Sequence, residues 1–388
     1  MTETLEIVLK PFLKWPGGKS KELKEIIPNL PHSINNFYEP FIGGGAVYFA
    51  TTSANHYFIN DKSKDLIDLY NNIKSLNKFE LFSTLNKIDK YWKDIDYIYD
   101  SNKNTFVEFF LNYRKCDNFD LKLSINEFIN SIAQGFTEPI KNDFQFDFKF
   151  YLKEIKLNLT RKMSRMKKIE LEKGILSNSD VNLNILTALK SSFYMYFRML
   201  YNNKEKYQIE PIIHSGIYFF IRNYTYSGMF RYNSNGEFNV PYGGIGYNNN
   251  SIDKKVLYLS DIGIQNKLYN TTIENLDFYE CMANKEIYEN DFIFLDPPYD
   301  TEFSTYDQNE FTKNDQKRLS NFLINEVNCN WMLVIKNTPF IHELYNYKNI
   351  FINYFDKSYT VSFMNRNNKN TEHLMITNYK VRENNARR

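Results

Sequence analysis

Cysteine is scarce in this sequence, with three in 388 residues. Cys116, Cys281 and Cys329 lie far apart without a CxxC pair, which argues against a zinc site and a disulfide framework. No apolar run approaches the ~20 residues that a membrane-spanning helix requires. The opening MTETLEIVLKPF lacks the basic region and long apolar stretch of a signal peptide. The expected setting is therefore a reducing cytoplasm, without membrane association or a bound metal. Excess charge is also missing, the net value being +2. Such a balance gives no argument for nucleic acid by itself, although a basic face is compatible with it.

What is present is length and rings. The chain is long enough for one large α/β domain and a second module. Aromatic residues reach 17%, with 33 Phe and 30 Tyr; composition alone accounts for most of them, since stacking on bases needs only a few. Arg161, Lys162, Arg165, Lys167 and Lys168 crowd one short stretch, either as a solvated helix face or as a phosphate-binding stripe.

The pattern along the chain changes twice. Residues 36–60 predict strand, glycine turn, helix and strand, with strands at Asn36–Phe41 and His56–Ile59 and a helix from Ala46 to Ala50. An amphipathic helix follows from Lys64 to about Ile73. From 75 to about 210 the chain is rich in Asn, Lys and aromatics with helical periodicity, and 211–250 reads as loop-rich. Strand-helix alternation returns at 291, with strands at Asp291–Leu295 and Trp331–Ile335, a helix over 315–326, and a terminal hairpin of Thr360–Phe363 with His373–Thr377. The expected fold class is α/β, a Rossmann-like parallel sheet interrupted by a mostly helical insertion. Its domains are expected at 1–74 with 256–388, and at 75–255.

Four motifs carry chemistry. Asp296-Pro297-Pro298-Tyr299 follows the apolar strand DFIFL. Two prolines cannot donate to a ladder, so they force a rigid turn at the carboxyl end of the strand, the edge where open α/β sheets bind ligands. Tyr38-Glu39-Pro40-Phe41-Ile42-Gly43-Gly44-Gly45 joins a strand to a helix, and its glycines permit close backbone approach to a ligand. Asn60-Asp61 ends the next strand, where an acid can accept from ribose hydroxyls or cap the following helix, with Ser63 competing for the cap. Near the N-terminus, Trp15-Pro16-Gly17-Gly18-Lys19-Ser20 invites a phosphate-loop reading, which fails because Leu13 stands where that motif needs its first glycine. The fourth motif, RYNSNGEFNVPYG at 231–243, is an Asn/Gly-rich loop. Its arginine, flanked by amides and rings, is equipped to read base edges.

Together FLKWPGGK at 12–19, YEPFIGGGAVYF at 38–49, IND at 59–61, RYNSNGEFNVPYG and DPPY resemble the Dam family of DNA-adenine methyltransferases, D12 class, group alpha. IKNTPF at 335–340 and HLMITNY at 373–379 look like that family's closing strands. The resemblance implies a site-specific enzyme that transfers a methyl group from S-adenosyl-L-methionine to N6 of an adenine flipped out of double-stranded DNA. It implies a prokaryotic or phage setting and a functional pairing with a restriction endonuclease. Asp296 and Pro297 would accept from the two N6 protons, Pro298 would fix the turn, and Tyr299 would stack on the extruded base. Trp15, Lys19, Phe41, Gly43, Gly45, Asp61, Phe278 and Asp296 map to cofactor contacts. Lys14, Tyr226, Arg231, Asn233, Asn239 and Pro241 map to DNA contacts, with Arg231 reading guanine and Tyr226 wedging into the duplex. The chain departs from compact relatives by roughly a hundred additional residues, mainly between 75 and 210. An N4-cytosine enzyme usually begins the acidic motif with Ser, and a protein-glutamine enzyme with Asn; Asp296 favours adenine. An RNA-directed member, or a non-catalytic nucleic-acid-binding subunit, is the alternative, and the intact acidic motif and Asp61 argue against the latter.

Overall fold

The computed structural model describes residues 9–116, 118–299, 311–358 and 370–381. The chain divides into two compact units, Met1–Leu76 with Tyr258–Arg388, and Asn77–Leu257.

The first unit is built on a seven-stranded sheet. Its strands are β1 (Ile34–Glu39), β2 (Ala54–Asn60), β3 (Thr271–Glu274), β4 (Phe292–Leu295), β5 (Asn330–Lys336), β6 (Phe351–Ser358) and β7 (Asn370–Thr377). Their order across the sheet is β3-β2-β1-β4-β5-β7-β6. Pairings from β3 through β5 are parallel, and β7 runs antiparallel to both β5 and β6. Central strands of such a sheet are covered on both faces and read as continuous apolar runs. FIFL of β4 is buried throughout, as are Trp331–Ile335 of β5. The order reverses between β1 and β4, so their carboxyl ends open the crevice in which doubly wound sheets place ligands.

The helix Lys64–Lys74 packs Leu66, Ile67, Leu69, Tyr70 and Ile73 inward, as its periodicity predicts. The terminal hairpin is a correction of partner: β7 pairs with β6 at 351–358, and Thr360–Phe363 lies outside the described residues.

The second unit is helical, with long helices at Lys78–Lys115, Phe148–Lys173 and Asn178–Asn202. Residues 211–250 divide, against the expectation of a loop. Pro211–Tyr224 forms a helix buried along almost its whole length, and only the part beyond it is irregular. Proline at the first helical position suits a helix start. Gly216 is a packing glycine, because a Cβ there would come within 2.7 Å of Thr84 Cγ2 on Lys78–Lys115. No helix among the described residues is long and apolar enough to cross a membrane.

Candidate active site

Asp296 follows β4 directly, and Lys19 is its buried partner. The Lys19 ammonium, 1% exposed, donates to Asp296 Oδ1 and to Gly17 O at 2.9 Å, and lies 3.5 Å from Tyr299 Oη. An ammonium taken out of water requires such a partner. Asp296 keeps 19% of its side chain exposed, so the pair is closed on the lysine side and open on the acid side. The Pro-Pro turn is held from beneath, where the fully buried Gln316 donates to Pro298 O at 2.9 Å.

Across the switch point, β1 ends at Glu39. This carboxyl is buried, and its pKa is driven well above the usual value, first by burial and then by Asp296 nearby. Burial and a neighbouring carboxylate both disfavour its charged form.

The glycine turn is shaped by a tryptophan. Gly43 has φ +47°, and a Cβ on it would stand 2.7 Å from Trp15 Cδ1. Gly45 has φ +71°, and its Cβ would meet Tyr70 Oη at 2.8 Å. Neither position admits a side chain in this turn. Asp61 fastens the turn to the end of β2: Gly43 N–H donates to Oδ2 at 2.9 Å, and Ser63 N–H to Oδ1 at 3.0 Å. Ser63 is the N-cap of Lys64–Lys74 by position, yet its side chain makes no capping bond. Asn60 ties three strand ends together, donating to Pro40 O and Leu276 O and accepting from Leu276 N–H. A carboxylate fixed by two amides is an oriented acceptor.

Phe41 and Phe278 meet with ring centroids 5.6 Å apart. Phe278 is only 4% exposed, covered by Phe311 with its ring tilted at 56° and by the Arg318 guanidinium 5.0 Å from its ring. The structure thus brings together Trp15, Lys19, Phe41, Gly43, Gly45, Asp61, Phe278 and the 296–299 turn on one edge of one unit. Lys14 is exposed beside Trp15. Sequence reading assigned no role to Glu39, Gln316, Phe311 or Arg318, although Glu39 sits inside a quoted motif.

The remaining sequence-derived positions lie in the second unit, on the loop after Pro211–Tyr224. Tyr226 is 42% exposed, and Ser227 behind it adopts φ +54°, an uncommon conformation for a side chain larger than glycine. Bridges Thr225–Tyr242 and Tyr232–Phe238 fold residues 225–242 into a nested hairpin. Helix Asn178–Asn202 braces it: Tyr194 and Arg198 donate to Val240 O, and Asn202 exchanges bonds with the Phe238 backbone. Arg231 is exposed and donates through Nε to Asn239 Oδ1 at 3.3 Å. Asn233 accepts from Asn235 N–H and Glu237 N–H and donates to Glu237 Oε2, so its amide shapes the loop tip. Pro241 is exposed. The basic run on Phe148–Lys173 also divides. Arg161, Arg165 and Lys168 are exposed, whereas Lys167 donates to Tyr113 O and covers that ring, and burial lowers the Lys162 pKa.

Comparison with known proteins agrees with this architecture. A family model described as D12 class N6 adenine-specific DNA methyltransferase matches residues 15–197 and 183–363. The type II methyltransferase M.CviBI of Paramecium bursaria Chlorella virus NC1A is 26% identical over 378 residues, 96% of this chain and 100% of that protein. M1.LlaDCHI of Lactococcus lactis subsp. cremoris, also a type II methyltransferase, is 25% identical over 381 residues, covering 96% and 97%. A DNA adenine methylase of Haemophilus influenzae is 22% identical over 348 residues, covering 87% and 83%.

Proposed function

Since the chain belongs to the D12 class of N6 adenine-specific DNA methyltransferases and is a DNA adenine methyltransferase, we propose that it transfers the methyl group of S-adenosyl-L-methionine to an adenine extruded from duplex DNA. One observation carries this reading: Asp296 stands at the carboxyl end of β4, across the switch point from the Trp15-packed glycine turn, with one face open and the other held by buried Lys19.

The residues fit that donor chemically. Asp61 is a fixed acceptor suited to ribose hydroxyls, Phe41 offers a ring for the nucleobase, and Gly43 and Gly45 keep side chains out of the turn. Phe278 joins that wall with Phe311 and Arg318 drawn aside. When bound, the cofactor supplies an electrophilic methyl on a sulfonium, itself a good leaving group.

The exocyclic amine of adenine is a weak nucleophile because its lone pair is delocalised into the ring. Asp296 and the Pro297 carbonyl accept from its two N–H groups and hold the lone pair toward the methyl. Acceptors fixed before reaction stabilise the positive charge that develops on nitrogen. Lys19 keeps Asp296 ionised and oriented, and Gln316 keeps the Pro-Pro turn rigid. Tyr299 stacks on the base, which a duplex exposes only by extrusion.

The second unit serves as the DNA-recognition module. Arg231 reads a guanine, Tyr226 enters the duplex, and Asn233, Asn239 and Pro241 shape or line the same surface. Lys14, Arg161, Arg165 and Lys168 add salt-dependent affinity without sequence preference. The target is a short site in which the methylated adenine follows a guanine, with GATC the best single candidate. A functional pairing with a restriction endonuclease fits the type II methyltransferase names of two relatives. The test is incubation with methyl-labelled S-adenosyl-L-methionine and duplex DNA, followed by nucleoside analysis. Label in N6-methyladenine is expected; label confined to cytosine, or to RNA when both nucleic acids are offered, would overturn the reading.

A further inference from the structure

His373, the first residue of the HLMITNY closing strand, reaches the acidic turn. His373 lies near the amino end of β7, opposite Lys336 at the carboxyl end of β5, and is 0% exposed. The antiparallel direction of β7 brings its first residues to the edge where the parallel strands finish. There His373 Nε2 lies 3.1 Å from Tyr299 Oη, with the two rings edge-on at 69° and centroids 5.7 Å apart. The same hydroxyl is 3.5 Å from Lys19 Nζ, which donates to Asp296. The Tyr299 hydroxyl is thus the joint between the Lys19–Asp296 pair and the antiparallel end of the sheet.

A hydrogen bond at the far end of a tyrosine fixes the direction in which the ring points, while the edge-on imidazole packed against it limits rotation about the ring axis. With Nε2 as acceptor, the tyrosine donates to His373 while its oxygen faces the Lys19 ammonium, so every donor in the line has an acceptor. Phe355 packs on the other side of the imidazole, with centroids 5.9 Å apart. The histidine therefore has a fixed place from which to hold its partner.

We infer that His373 is a positioning residue for methyl transfer, anchoring the Tyr299 hydroxyl so that the ring stays presented to the extruded adenine and stays in register with Lys19 and Asp296. This rests on the reading that Tyr299 stacks on the target base. His373 itself touches neither base nor cofactor.

A double-mutant cycle tests it, read as single-turnover methyl transfer and as fluorescence of 2-aminopurine at the target position. His373→Phe removes the acceptor and keeps a ring, and Tyr299→Phe removes the hydroxyl and keeps the stacking face. Loss of one such hydrogen bond corresponds to about a tenfold slower transfer. Each single variant is expected to slow by that order and to lower the 2-aminopurine signal, with unchanged affinity for S-adenosylhomocysteine. The double variant should be no slower than the slower single one. His373→Gln, whose amide reaches about as far as Nε2, should recover to within about threefold of wild type. Should His373→Phe not fold, His373→Asn, too short to reach Tyr299, takes its place in the cycle.

The proposal is overturned if the His373 variant matches wild type while Tyr299→Phe is slow, or if the two effects multiply. Tyr299→Ala separates this from the reading beneath it. Transfer by Tyr299→Ala at the wild-type rate removes the stacking role and the inference with it. A slow Tyr299→Ala beside an unaffected His373→Phe removes the inference alone.

Discussion

Asp61 braces the glycine turn, and its proposed binding role rests on that placement. Its oxygens hold Gly43 N–H and Ser63 N–H, so it closes the glycine turn at the point where ribose hydroxyls are expected. Asp61→Ala removes charge-assisted hydrogen bonds worth ~1.5–3 kcal/mol. It also releases the turn that Trp15 packs upon. We expect calorimetry to show S-adenosylhomocysteine binding weakened by about ten- to a hundredfold, with DNA affinity nearly unchanged. Equal affinity in the variant would restrict Asp61 to bracing the turn. Its position at the end of a second strand after a glycine turn was legible in the sequence, which left a ribose acceptor and a helix cap both open. His373 was legible only as the start of a closing strand: it joins Tyr299 from 74 positions away through strand order, and nothing local marks that contact. Glu39 was quoted within a motif, but its raised pKa follows from burial beside Asp296, which only the assembled sheet reveals.

At the scale of elements, the recognition hairpin is stiffer than its composition implies. An Asn/Gly-rich stretch reads as loop, yet Tyr194, Arg198 and Asn202 pin its backbone from one helix. Arg231 is steadied by Asn239. A bidentate arginine–guanine contact accounts for ~1–3 kcal/mol of discrimination. Maps of N6-methyladenine across the genome of an expressing host are therefore expected to show a fixed guanine for the wild type and a relaxed position for Arg231→Ala. Asn239→Ala should relax the same position less, by freeing the arginine. A motif unchanged in Arg231→Ala would move sequence reading elsewhere in the second unit. The misread element was Pro211–Tyr224, which lies inside the stretch read as loop-rich and contains Gly216. It is a contact glycine inside an apolar helix, and close helix packing leaves no trace in a single sequence.

For the molecule as a whole, parallel strands with apolar interiors and the two ligand-edge turns were legible from periodicity and proline placement. The pairing of β7 with β6 was not, because the stretch 360–363, closer in sequence to β7, offered a competing strand. Stability against pH is a property of the assembled first unit. Lys267 lies over the Tyr57 ring at 3.4 Å and donates to Thr51 O, and burial lowers its pKa from 10.5 to about 7, opposed by Glu39. Between those values the unfolded chain holds the proton and the folded chain does not, so this group makes stability rise with pH across that window; below about 7 its cost is fully present. Melting curves of Lys267→Met should lack that part of the rise, and curves parallel to wild type would contradict it. The central claim is that Asp296 prepares adenine N6 for attack, and single-turnover methyl transfer by Asp296→Asn on a cognate duplex measures it most directly. The amide keeps the shape of the turn and removes the charge facing N6. Wild type is expected to form N6-methyladenine and the variant to lose at least ~100-fold in rate, with S-adenosylhomocysteine still bound; transfer within threefold of wild type would remove this role from Asp296.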